Sequence, residues 1–126
     1  MLRCAVIALA LAAALPASAQ QVQRNFPAAA LRGELTVVNP PEVVLNGKPA
    51  RLAPGARIKG GSNLLVMSGA IVGQKLVVNY TVDTYGLVKD VWLLRADEAA
   101  RSPWPKTAVE AAKWSFDPIA QVWTKP

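Results

Sequence analysis

The stretch LVVNYTVDTYGLVKDVWLL, residues 76–94, decides how the chain folds. Leu76, Val78, Tyr80 and Val82 fall on one side of an extended backbone; Val77, Asn79, Thr81 and Asp83 fall on the other. That period of two marks a strand with one buried face. Asp-Thr-Tyr-Gly at 83–86 breaks the run, because an aspartate side chain can accept from nearby backbone N–H groups and set a turn. The return run is apolar at four consecutive positions, 91–94, which predicts a strand covered on both faces. The result is a hairpin whose second face needs a cover.

That cover is predicted downstream. Thr107-Ala108-Val109-Glu110 matches a capping box, in which the threonine hydroxyl and the glutamate each satisfy a backbone donor of the first helical turn. Ala108, Ala111 and Ala112 favour the helix, and Asp117-Pro118 limits it to an end near Trp114. So short a helix is not stable alone in water. It is expected to pack Val109, Ala112 and Trp114 on the hairpin sheet, with a final strand at 119–123.

Upstream, residues 35–38 form a short strand candidate stopped by Asn39-Pro40-Pro41. Asn46-Gly47 separates the runs 43–45 and 48–52 and is the dipeptide best suited to a type I′ hairpin. Pro54-Gly55 and residues 60–63 are further breaks. Residues 64–67 are continuously apolar and are expected to form a strand covered on both faces. The expected class is a β-rich α+β fold: an antiparallel sheet of hairpins with one short C-terminal helix packed on it. It occupies a single domain, 34–126, preceded by a flexible lead-in at 20–33.

Residues 1–19 have the form of a secretory signal. Met1-Leu2-Arg3 is a basic start, residues 4–15 are an apolar run, and Ala17-Ser18-Ala19 offers an A-x-A cleavage site. The run of 12 residues is shorter than the roughly 17–25 needed to span a bilayer. The expected location is therefore the periplasm or the exterior, after cleavage near Ala19. Cys4 is the only cysteine and the sequence has no histidine, so the mature chain would contain neither.

The order strand, D-x-x-G turn, strand, helix, W-x-F-x-P has a likeness. TVDTYGLVKDV (81–91) and AVEAAKWSFDP (108–118) resemble the C-terminal domain family of TonB, with Ala108, Ala111, Trp114, Phe116 and Pro118 carrying the match at the helix end. The similarity covers roughly the last 45 residues. It implies an α+β module on the periplasmic side of an outer membrane that recruits an extended segment of a partner by adding a strand to its sheet. The chain also resembles small exported proteins of proteobacteria.

The chemistry of the mature residues narrows the function. Without histidine or cysteine, a serine–histidine–acid or cysteine–histidine arrangement cannot be built, and the usual zinc and copper ligands are missing. No cofactor, metal or catalytic residue is assigned. Asp83 and Asp90 flank the same hairpin and are the one pair that a carboxylate hydrolase would use; Asp83 as a turn residue is the competing assignment. Asp97 and Glu98 are expected to open a helical turn, where carboxylates complement the dipole.

The net charge of +6 is uneven: residues 20–75 carry seven basic and two acidic side chains, whereas 76–126 carry six of each. The densest basic segment holds Lys48, Arg51, Arg57 and Lys59, either a binding surface for an anionic envelope polymer or membrane, or a solvated face. Of the four tryptophans, Trp92, Trp114 and Trp123 sit in predicted elements and suit a core. Trp104, in Ser-Pro-Trp-Pro, is either an exposed anchor on a stiff loop or a plug over one end of the core. The leading expectation is a non-catalytic interaction module that binds an envelope protein or extended peptide through a sheet edge. Binding of an anionic polymer or surface through the basic cluster is the alternative, and no specific nucleic acid is expected.

Overall fold

The computed structural model describes residues 23–126, so residues 1–19, expected to be a secretory signal, and Cys4 among them lie outside the described residues. β1 (Leu31–Asn39), β2 (Glu42–Leu45) and β3 (Lys48–Lys59) form an antiparallel meander. Asn46 and Gly47 between β2 and β3 both have positive φ, 53° and 78°, as a type I′ turn requires. A single 3-10 turn at Ser68–Ile71 leads to β4 (Lys75–Val82) and β5 (Val88–Leu93), the hairpin legible at 76–94. Asp83 Oδ1 accepts from the backbone N–H groups of Tyr85 and Leu87 at 2.8 and 2.9 Å, which fixes the turn.

β4 also pairs antiparallel with β1, and β5 lies parallel to β3. These pairings close the five strands into a barrel in the order β1-β2-β3-β5-β4. The β-rich class follows the sequence pattern. The parallel β3–β5 contact amends the expected all-antiparallel sheet, since alternation within a strand carries no information on the direction of its neighbour.

The barrel interior is filled by inward residues of all five strands, among them Leu35, Val37, Val43, Leu52, Ile58, Val78, Tyr80, Val88 and Val91. Each such aliphatic side chain contributes about 1.5–3 kcal/mol by leaving water. The Tyr80 ring lies over Gly33 of β1: a Cβ there would stand 2.8 Å from Tyr80 Cε1 and 3.1 Å from Asn46 Oδ1. Gly33→Ala is therefore expected to lower stability by about 1–3 kcal/mol through overpacking, measured as a fall in the urea midpoint.

The remaining chain covers the outer face of the β1, β4 and β5 wall. It comprises α1 (Ala96–Ala99), α2 (Ala108–Lys113) and a small antiparallel sheet of β6 (Ser115–Asp117) and β7 (Val122–Thr124). Phe26, Ala30, Trp104 and Trp123 form a second buried cluster, with Trp92, Leu94, Ala111, Trp114 and Phe116 packed on it.

Several expectations change here. Arg24 and Phe26, placed in a flexible lead-in, are buried, and β1 begins at Leu31. Two short helices form, not one. Thr107 does cap α2, accepting from Glu110 N at 3.2 Å, but Val109 is exposed and Ala111 makes the contact. The last strand is β7, and residues 118–121 form its turn. Leu64, Leu65 and Met67 are not a covered strand: they are 69–80% exposed on the crossover from β3 to β4.

Candidate functional site

Lys48, Arg51, Arg57 and Lys59 all belong to β3. Lys48, Arg51 and Arg57 are exposed and Lys59 is half-buried, alternating with the inward Leu52 and Ile58. They are strung along one strand, over at most about 36 Å at 3.3 Å per residue. Arg51 makes one ion pair, at 3.8 Å to Glu42, with both side chains mostly exposed; such a pair is worth under about 1 kcal/mol.

The strand that carries these cations is irregular at its centre. Leu52 is paired with Val88 and Arg57 with Asp90, so five steps along β3 match two along β5. β2 covers β3 only over residues 48–51. Residues 53–56, with Pro54 and Gly55 (φ 76°) at their middle, therefore have no registered strand partner. On the side of β3 away from β5 a groove of about 410 Å³ runs between the Pro40-Pro41 turn and residues 66–68. Leu52 N to Pro41 O and Val66 N to Ile58 O, both 2.8 Å, mark its two ends. Exposed Met67 forms part of its rim. The signal that could have found this groove was Pro54-Gly55 inside a strand, since both residues mark bulges and interrupted ladders.

Trp104 is not among these residues. It is 5% exposed, its Nε1 donates to Ala30 O at 3.0 Å, and it stands edge-on to Phe26, Phe116 and Trp123. Burial overturns the exposed anchor, and in place of a plug over one end of the barrel core Trp104 belongs to the separate second cluster. Glu98, expected only to open a helical turn, is instead held in a buried ion pair. Arg24 donates through Nε to Glu98 Oε2 at 2.9 Å and through Nη2 to Oε1, and Arg95 N donates to Oε1 at 3.0 Å. Both Arg24 and Glu98 are almost fully buried.

Asp83 has its carboxylate committed to the turn, and Asp90 accepts from the Thr81 hydroxyl at 3.2 Å. Among the described residues no cluster of three or more acidic, histidine or cysteine side chains converges. No protein-family model, no curated protein and no solved structure matches this chain.

Proposed function

We propose that the domain is a non-catalytic binding module that takes an extended, acidic polypeptide segment of an envelope protein into the groove beside residues 53–56. The observation that carries this is the gap in the β3 ladder. In a barrel whose five strands each have two neighbours, this is where backbone donors and acceptors of a long strand stand beside an open channel. An added strand would take up such groups, the mode that the TonB-like resemblance implies. Arg51 and Arg57 bracket the gap, which favours acidic side chains on the incoming segment.

Single-stranded nucleic acid on a barrel face is held by stacking on aromatic rings. Here Phe26, Trp92, Trp104, Trp114, Phe116 and Trp123 all belong to the second cluster, and the one well-exposed ring among the described residues is Tyr85, on the β4–β5 turn. A polypeptide fits the β3 face better than a base or sugar chain.

The test is titration of the 15N-labelled domain with a peptide of alternating valine and glutamate, and with its lysine counterpart. The acidic peptide is expected to shift the amides of Ala53, Gly55 and Ala56 and to survive high salt with reduced affinity. Arg51→Glu with Arg57→Glu is expected to weaken it by roughly tenfold or more, the worth of about 1.4 kcal/mol. Unmoved 53–56 amides would refute strand addition. If heparin or anionic vesicles then bound and released completely in salt, the basic-patch alternative would replace it.

A further inference from the structure

Independently of the β3 groove, the wall of aromatic residues holds a second cavity. A cleft of about 300 Å³ lies between residues 100–104 and residues 120–123, with the apolar Pro103, Trp104, Val122 and Trp123 on its walls. That volume is at the small end of ligand pockets, which run from about 300 to 1,000 Å³. Arg101 is part of its lining.

Arg101 is half-buried, and its Nη1 is buried without a hydrogen-bond partner among the described residues. Trp123, 4% exposed, has an Nε1 in the same condition. Both unsatisfied atoms are donors, on two residues of the cleft lining, so an acceptor is what these two side chains lack.

Charge points the same way. Around α1 four guanidiniums, Arg24, Arg32, Arg95 and Arg101, face two carboxylates, Asp97 and Glu98. Glu98 is already shared by Arg24 and Arg95. Arg32 spends its donors on Asn79 Oδ1 and on the carbonyls of Glu98, Ala99 and Arg101. The Arg32 guanidinium is held below its ordinary pKa, chiefly by burial and further by the neighbouring Arg101, against a raising influence of Glu98. A charged donor left unpaired in such a setting costs more than the usual 1–3 kcal/mol of a buried orphan.

We propose that this cleft binds a small carboxylate carried on an apolar ring, the carboxylate taken by Arg101 and the indole N–H of Trp123, the ring lying among Pro103, Trp104 and Val122. Guanidinium–carboxylate bonds are among the strong hydrogen bonds, so a single such group suffices to orient a small ligand.

Benzoate and its uncharged counterpart benzamide are the probes, followed by tryptophan fluorescence and by the indole N–H resonance of Trp123. Benzoate is expected to give a saturable change that displaces the Trp123 indole signal, and benzamide to bind roughly tenfold or more weakly. Arg101→Gln is expected to lose benzoate binding by a similar factor, while Lys75→Ala, at the exposed start of β4, leaves it unchanged. The benzamide comparison uses the unaltered protein, so it stands even where the Arg101 variant folds poorly. Equal response to the two probes, or a benzoate-soaked crystal with only water beside Arg101, would overturn the assignment.

Discussion

Glu98→Ala is expected to remove about 3–5 kcal/mol, the cost of leaving a buried charge without its partner, from a total that in domains of this kind is about 5–15 kcal/mol. Glu98 is 1% exposed. Its two oxygens receive Arg24, the backbone N–H of Arg95 and, at 3.6 Å, the Arg95 guanidinium. Arg24 also donates to Gly60 O and Leu93 O at 2.8 Å, so the pair ties the start of the described chain to the ends of β3 and β5. Lys75→Ala, which breaks only the exposed bridge to Glu34 at 3.2 Å, is the control and should cost under about 1 kcal/mol. Urea denaturation followed by far-UV circular dichroism measures both.

The same carboxylate gives the domain an acid limit. Burial pushes the Glu98 carboxyl up, but the Arg24 hydrogen bonds, the Arg95 N–H and the charges of both arginines outweigh it, and the group ends below its ordinary value of 4.5. A pKa depressed by folding contributes stability that is fully present above the unfolded value and lost as pH falls through the folded one. The urea midpoint should therefore hold from neutrality to near 4.5 and then decline. In Glu98→Gln that part of the decline should be missing. An unchanged acid slope would show that the pair does not govern it.

What the sequence made legible was short in range. The strand at β4, the Asn46-Gly47 turn and the Thr107 cap each depend on neighbours within a few residues, and each formed where expected. The detail departs, since Asn79 on the polar side of β4 is fully buried, Val82 on its apolar side is exposed, and of the capping box only the Thr107 half is made. What stayed illegible depends on distant partners. Arg24 and Glu98 are 74 positions apart, and nothing local states that a polar lead-in must cross the barrel to meet a helix N-terminus. Residues 64–67 misled because a short apolar run specifies burial only where another element arrives to cover it: Val66 alone packs on the core, and Leu64, Leu65 and Met67 stay exposed. The four basic residues of β3 were visible, but the groove beside them was not. It arises from a mismatch of register with β5, a strand some thirty positions on.

Trp104→Ala is expected to cost about 3–5 kcal/mol, the range for removing a large buried aromatic. The ring sits at the meeting point of the second cluster, 5.8 Å from Phe26, 5.7 Å from Phe116 and 6.1 Å from Trp123, with the Arg32 guanidinium 5.2 Å from its centre. Removing it opens a void between the β1–β4–β5 wall and the β6–β7 sheet and leaves Ala30 O without its indole donor. Trp104→Phe separates these effects: it keeps most of the aromatic packing and loses the hydrogen bond, and should cost about 1–3 kcal/mol. The alanine variant should also release the C-terminal segment, because β6 and β7 pair over only three residues each and too short a sheet does not hold alone in water. Hydrogen exchange then distinguishes local from global loss: in Trp104→Ala the amides of 115–124 should exchange well before those of Val78 and Val91. Equal protection across the two regions would mean that barrel and cover unfold as one unit, with the tryptophan no more than one core residue among many.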